Sequence, residues 1–350
     1  MPVPELQNAE EMTIIAGVAS AVAEHASQYG IDIEPICAEL GLDPSLFKSM
    51  TARVSLAKVC RLLEACSKLS GDEAFGLRCV DVYERGASGP FGYGLIVAPD
   101  LRSLIEFLEE HIQGATGSSY FARETTDDAT ILRLTFSPLV LERDQYVDMA
   151  TAMAMGRMRD ILGDQARQIA IEMERPAPRD PGVFRHYLSD KLTFSGRMNS
   201  LTIPHALLDV VNPRGDARLF ELMHLQCRSL HPSPHASGRD AFRDNVQGYL
   251  RLRVAEPELS LGEMARHFQL SERTLQRRLS EHGTSLNDLR DDIRREMSLT
   301  LLTETALPIA DICYRLGYSA PSAFSRSVTR WFGASPRAVR DRHGNIAARR

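Results

Sequence analysis

Residues 309–336 read IADICYRLGYSAPSAFSRSVTRWFGASP, and this stretch decides the fold of the carboxyl-terminal third of the chain. Ile309, Ile312 and Leu316 recur at helical spacing around the small Cys313. Gly317 and Tyr318 make a tight turn, and Ser319 stands where it would cap a second helix. Pro321 falls in that helix's first turn, where its missing N–H costs little. Phe324 and Val328 face back to the first helix, which leaves Ser322, Ser325, Arg326 and Arg330 for the outer face. Two short helices joined this way make a helix-turn-helix, whose second helix enters a DNA major groove.

The same pattern occurs about fifty residues earlier, in LGEMARHFQLSERTLQRRLSEHGTS, residues 261–285. Leu261, Met264, Phe268 and Leu270 are the apolar positions of its first helix and turn, Ala265 is the small one, and Ser271 is the cap. Leu275 and Leu279 match Phe324 and Val328 after a one-residue insertion, and Gly283 and Ser285 match Gly333 and Ser335. An internal repeat of this kind predicts two copies of one structural unit. Between them, Leu286, Leu289, Ile293, Met297, Leu301 and Leu302 suit a single connecting helix. Some 18 residues at 1.5 Å each span about 27 Å, near the ~34 Å between successive major grooves on one DNA face.

Helical phase and repeat position single out Arg273, Gln276, Arg277 and Arg326 as base-reading candidates. An arginine fork brackets guanine O6 and N7, and glutamine brackets adenine. Ser271, Thr274, Arg278, Ser319 and Arg330 suit phosphates, with hydroxyls at helix starts and cations at the rim. Most of the remaining arginines read as solvated surface charge.

The charge distribution points the same way. Residues 238–350 hold 19 Arg, no Lys and 14 acidic residues, a net +5, whereas the whole chain is −5. A basic end on an acidic partner domain is the footprint of a nucleic-acid binder. At 350 residues, 43% hydrophobic and 25% charged, the chain is large enough for two or three globular domains. It contains no run of 18 apolar residues, so no membrane span is expected, and its acidic start MPVPELQNAEEM does not suggest a secretory signal. The six cysteines (37, 60, 66, 79, 227 and 313) form no C-x-x-C pair and read as reduced thiols of a cytoplasmic protein.

Upstream of the repeat the pattern is mixed. Residues 11–70 read as helices, with stops at Gly30 and Gly71 and a cap at Ser55. GASGPFGYGLIVAPD, residues 86–100, reads as a glycine-rich connector whose glycines serve turns and close packing; no G-K-[ST] follows to make it a phosphate loop. LRSLIEFLEEHI is an amphipathic helix; SSYFARET and TILRLTF form a hairpin; a Met-rich helix follows; QIAIEME and KLTFSGRMNSLTIP supply further strands. The expected fold is therefore an α+β amino-terminal domain followed by an all-α domain with two helix-turn-helix units joined by a long linker helix. The expected boundaries are 1–215 for a sensing and dimerisation domain, 216–238 for a linker and 239–350 for the DNA-binding domain.

Two other chemistries compete. His224, Cys227 and His231 lie at i, i+3 and i+7, with His235 beyond, and could gather zinc. Pro232 and Pro234 would break that helix, so no metal or other cofactor is expected. An enzyme would draw on His186, Asp190 or Asp209, but no nucleophile elbow, H-E-x-x-H or P-loop accompanies them, and the chain is not expected to be an enzyme.

The repeat resembles the carboxyl-terminal signature of the AraC/XylS family of bacterial transcription regulators. It keeps I-A-x-I, G-[FY], S-x-F-x-R, R-W-x-G and S-P, with Cys313 where alanine and Val328 where phenylalanine are usual. The resemblance places direct base contacts at Arg273, Gln276 and Arg277 and at Ser322 and Arg326. GDEAFGLRC, GPFGYGLIVAPDLRSLIEFLEEHI and FSGRMNSLTIPHALLD resemble the amino-terminal domain of the subgroup that includes the ornithine-utilisation regulator. That domain is α/β, unlike the cupin-like barrel of the founding member. The resemblance implies an effector-responsive regulator, more often an activator, with double-stranded DNA and RNA polymerase as partners, an unidentified small-molecule effector, and a homodimer as a further expectation. The effector's identity and its pocket residues are left open.

Overall fold

The computed structural model describes residues 12–117, 119–230, 239–256 and 259–343. The chain divides into two compact units, the larger built mainly from residues 9–231 and the smaller mainly from residues 232–350.

The larger unit begins with β1 (Thr13–Ile15), followed by α1 (Gly17–Gln28), α2 (Glu34–Leu40), β2 (Arg53–Ser55), α3 (Leu56–Ser70), α4 (Phe75–Arg78), α5 (Gly89–Val97) and α6 (Leu101–Ala115). The hairpin β3 (Ser119–Thr125) and β4 (Ala129–Phe136) comes next, then α7 (Asp144–Leu162), β5 (Ala170–Glu172), α8 (Pro181–Tyr187), β6 (Leu192–Thr193), β7 (Asn199–Pro204) and α9 (Ala217–Leu230). Five strands form one sheet in the order β3-β4-β7-β5-β6, antiparallel except for the β5/β6 pair. β4 alternates strictly, burying Thr130, Leu132, Leu134 and Phe136, as a strand with one face on a core must.

Two elements differ from the sequence expectation. Thr13–Ile15 and Arg53–Ser55 are strands of a small antiparallel ribbon, Ile14 opposite Val54, whereas the sequence pattern predicts helix there. Three residues carry too little periodicity to separate strand from helix, and the pairing is 40 residues away in sequence. Residues 89–97 form a helix instead of a connector. Its glycines are there for packing: a Cβ on Gly94 would lie 2.1 Å from the Phe107 ring of α6. Helix propensity argues against glycine, and tertiary close approach overrides it. The caps fall as expected at Ser55, which accepts from the Lys58 N–H, and at Gly71 in the left-handed region.

The smaller unit is helical: α10 (Arg239–Arg253), α11 (Leu261–His267), α12 (Glu272–Glu281), α13 (Leu286–Glu304), α14 (Ile309–Arg315), α15 (Pro321–Phe332) and α16 (Pro336–His343). α13 is the hub, packing against α10, α14, α15 and α16. Its buried stripe of Leu289, Ile293, Met297, Leu301 and Leu302 follows the expected phase. At 19 residues it is about 28 Å long. Among the described residues no helix is long and apolar enough to cross a membrane. All six cysteines are buried and unpaired as thiols.

Candidate nucleic-acid interface

The two helix-turn-helix units share one hydrogen-bond pattern. In the first, Leu270 N–H donates to the Ala265 carbonyl at 2.8 Å and Gln269 N–H to the Arg266 carbonyl at 3.1 Å. In the second, Tyr318 N–H donates to Cys313 at 3.1 Å and Gly317 N–H to Tyr314 at 3.0 Å. The hinge residue is left-handed in both, Gln269 at φ 52° and Gly317 at φ 73°. The second hinge demands glycine for an additional reason: a Cβ there would meet the Ala255 carbonyl oxygen at 2.7 Å and that of Val254 at 2.8 Å. Ala265 and Cys313 occupy the small buried position where the paired helices approach.

Local capping differs between the units. Ser260 and Glu263 form a capping box on α11, and Ser271 caps α12 by accepting the Thr274 N–H at 3.2 Å. On α15 the cap position is Ala320 and there is no side-chain cap, so Ser319 does not take the expected role. The inserted residue shifts the helix start by one, and Pro321 opens the helix in place of a capped N–H. Leu261, Leu270 and Ile309, expected inside, are only half-buried.

The inward faces are otherwise as expected. Leu275 and Leu279 on α12, and Phe324 and Val328 on α15, are fully or almost fully buried. Opposite them, Arg273, Gln276, Arg277 and Arg278 on α12 and Ser322, Arg326 and Arg330 on α15 are exposed, as are Ser271 and Ser319; Thr274 is half-buried. Among the described residues the side chains of Arg273, Gln276, Ser322 and Arg326 make no hydrogen bond or ion pair, so their polar groups are available to a ligand. The remaining three arginines are engaged. Arg277 lies 3.7 Å from Glu281, Arg278 sits 5.2 Å over the Phe242 ring, and Arg330 pairs with Asp291.

Several arginines that read as surface charge prove to be internal clamps. Arg294 of α13 donates to the carbonyls of Leu316 at 2.9 Å and Gly317 at 3.2 Å, and its guanidinium lies 4.7 Å from the Tyr318 ring centroid. Arg290 donates to the Leu259 carbonyl at 2.6 Å, and Arg340 to that of Leu307 at 2.6 Å. Arg251 grips Glu296 with two bonds of 2.7 Å, tying α10 to α13. Burial lowers the pKa of both Arg290 and Arg294, and the Arg294 charge lowers Arg290 further. Nothing in the local sequence separates these arginines, on α10, α13 and α16, from the outward ones.

In the larger unit, a cleft of about 940 Å³ is lined by residues including Glu24, Phe47, Lys48, Met50, Arg85 and Tyr93. It lies within the size range of small-molecule sites and gathers residues from separate stretches, so no local motif announces it. The residues weighed for catalysis do not converge. Asp190 is 3.6 Å from Arg167, Asp209 is 2.8 Å from Arg102, and both acids are exposed. His186 is exposed on α8 and stacks edge-on to Tyr187. His231 and His235 of the weighed zinc set lie outside the described residues; His224 and Cys227 are on α9.

Two helix-turn-helix units mounted on one connecting helix, each offering an exposed polar helix face, define a DNA-binding transcription regulator. Comparison with known families narrows this: residues 30–211 match the arabinose-binding amino-terminal domain of AraC transcription regulators, and residues 264–342 match a helix-turn-helix domain family. The first match covers just over half of the chain, and the protein belongs to the AraC family of transcription regulators. Among its relatives, the ornithine utilization regulator of Pseudomonas aeruginosa is 23% identical over 331 residues, covering 92% of this chain and 95% of the relative. The transcriptional regulator VirS of Mycobacterium tuberculosis is 25% identical over 329 residues, 92% and 94% of the two chains. The transcriptional regulator GlxA of Rhizobium meliloti is 36% identical over 161 residues, 44% of this chain and 50% of that one.

Proposed function

We propose that this regulator reads its operator with both recognition helices at once, α12 through Arg273, Gln276 and Arg277 and α15 through Ser322 and Arg326. Ser271, Thr274, Arg278, Ser319 and Arg330 hold the phosphates beside them. The observation that carries this reading is the outward, unpartnered placement of Arg273, Gln276 and Arg326 directly opposite the buried Leu275, Leu279, Phe324 and Val328. Residues 239–350 bind DNA, residues 216–238 connect, and residues 1–215 respond to a small-molecule effector and dimerise. The cleft beside Lys48 and Arg85 suits a small polar effector. The exposed leucines of α9 (Leu219, Leu222, Leu225 and Leu230), at the start of the connecting stretch, extend the dimerising surface towards a second copy of the chain. Effector binding shifts the population that engages DNA and RNA polymerase, with activation as the outcome, in the cytoplasm.

The test begins with an operator selected by the full chain from random-sequence DNA. Alanine at Arg277 and at Arg326, with helix content checked by circular dichroism, is expected to weaken specific binding by about 1–3 kcal/mol each. Alanine at Arg330, placed on a phosphate, is expected instead to weaken binding to all sequences alike and to reduce the salt slope by about one. A double variant at Arg277 and Arg326 that still separates this operator from random DNA as the parent does would overturn the reading. Truncation to residues 238–350 that leaves effector response intact would overturn the assignment of sensing to the larger unit.

A further inference from the structure

Two histidines from different helices of the larger unit meet almost atom to atom. His111 near the end of α6 and His224 on α9 bring Nε2 and Nδ1 to 2.9 Å. The Glu110 carboxylate bridges the pair, with Oε1 3.7 Å from His111 Nε2 and Oε2 3.7 Å from His224 Nδ1. One ligand atom from each of the three lies within 4.8 Å of the others. His111 is 7% exposed and the His224 side chain 15%, so the nitrogens face each other away from bulk water.

We propose that Glu110, His111 and His224 form a binding site for a divalent metal ion of the zinc type. Zinc–nitrogen and zinc–oxygen bonds of about 2.0–2.1 Å in tetrahedral geometry put neighbouring ligand atoms about 3.3 Å apart. The two nitrogens stand 2.9 Å apart, and each carboxylate oxygen lies 3.7 Å from a different nitrogen, Oε1 from His111 Nε2 and Oε2 from His224 Nδ1. Seating an ion therefore requires opening the histidine pair by about 0.4 Å and turning the carboxylate so that Oε2 comes within about 3.3 Å of both nitrogens. The pair now shares one N–H between two rings. Metal binding uses the tautomers in which both facing nitrogens carry lone pairs, with the ring protons on His111 Nδ1 and His224 Nε2.

The surroundings suit such a site. The Phe107 ring lies 4.5 Å from His111 and 4.7 Å from His224, and the Phe220 ring is 4.7 Å from His224, which holds both imidazoles in orientation. Arg228, one turn on from His224, donates to Glu110 Oε1 at 2.8 Å. That bond orients the carboxylate and leaves Oε2, the oxygen nearer His224, for the ion. Two histidines and a glutamate leave a fourth tetrahedral position for water or another ligand. This set differs from the one weighed on sequence: of His224, Cys227, His231 and His235 only His224 belongs to it, and the other two ligands come from α6. An ion here would pin α9 to α6 within the larger unit.

The test uses the full chain without a histidine tag, stripped with a chelator and titrated with Zn²⁺ against a chromogenic competitor, with Co²⁺ absorbance as a second readout. One equivalent bound with micromolar or tighter affinity is expected, together with a tetrahedral Co²⁺ spectrum and a rise of several degrees in Tm. His224→Gln, His111→Gln and the half-exposed Glu110→Gln are each expected to weaken binding at least tenfold; Glu110→Gln keeps the test valid where a buried-histidine variant does not fold. No binding by the parent overturns the site. Binding retained by His111→Gln or Glu110→Gln and lost only in His224→Gln assigns the ion to α9 and its neighbours, and overturns it equally.

Discussion

Asp291, in the first half of α13, accepts the indole N–H of Trp331 on α15 at 2.9 Å. The same carboxylate pairs with Arg330, whose guanidinium lies 5.7 Å from the Trp331 ring centroid. Phe324 and Val328 seat α15 against its neighbours by burial, and burial alone is non-directional. The Asp291 bond adds the direction: it fixes the rotation of α15 about its own axis, and that rotation sets where Ser322 and Arg326 point.

Trp331 is the sole tryptophan, so its emission reports this bond directly. Asp291→Ala is expected to shift the emission to the red and to lower stability by about 1 kcal/mol. The ion-pair share is small because both side chains are about half exposed. A spectrum unchanged from the parent's would show that the bond does not form in solution.

Gly317→Ala places a Cβ into the carbonyls of Val254 and Ala255 at a left-handed φ. The expected loss is at least about 2 kcal/mol, measured by denaturant unfolding. The equivalent Gln269→Gly, also left-handed but already accommodating a side chain, is expected to be neutral or slightly stabilising. Equal effects at the two hinges would refute the steric account.

Asp148 on α7 is fully buried against Arg175. Burial pushes its carboxyl pKa upward against the opposing pull of Arg175. Removing one partner strands the other, so Asp148→Ala is expected to destabilise by about 3–5 kcal/mol, and Asp148→Leu with Arg175→Met by much less. Calorimetry on the single and double variants decides; additive losses would mean the two groups do not depend on each other.

His25 is buried beside the Phe75 and Tyr29 rings, with Nδ1 against Gln28 and no partner for Nε2. Burial lowers its pKa below 6.5; Gln28, Asp72 and Asp81 oppose that shift and Arg78 adds to it. The folded state then binds fewer protons than the unfolded one in the window below 6.5. Its contribution is full above pH 6.5 and is lost as pH falls towards the folded pKa. Thermal melts of the full chain are expected to show a Tm that declines between pH 7 and 5, and a shallower decline in His25→Asn. Parallel profiles for the two would remove His25 as the cause.

The smaller unit was largely legible from residues alone because its order is local. A helix-turn-helix closes within about 20 residues, so its buried positions, its turn and its outward face all lie in one phase, and the second copy repeats them. What the repeat concealed was its own one-residue insertion, which took the cap from Ser319 and left α15 to begin at Pro321. The larger unit was legible only in part. β1 pairs with a strand 40 residues away, and α5 exists because Gly94 fits against Phe107, a partner in another helix.

By itself the sequence determined the class of the two units, the helical phase of α12, α13 and α15, and which side chains face outward, because periodicity and turn chemistry act over a few residues. Only the tertiary structure decided which arginines are clamps and which are free, since Arg290, Arg294 and Arg340 find their carbonyls far along the chain. It alone joined His224 to Glu110 and His111, 113 residues away from it in the case of the histidine. The physical reason is the same in each case: a hydrogen bond or a ligand sphere reaches only about 3 Å, and the chain segments it joins are brought that close by packing, which no local pattern records.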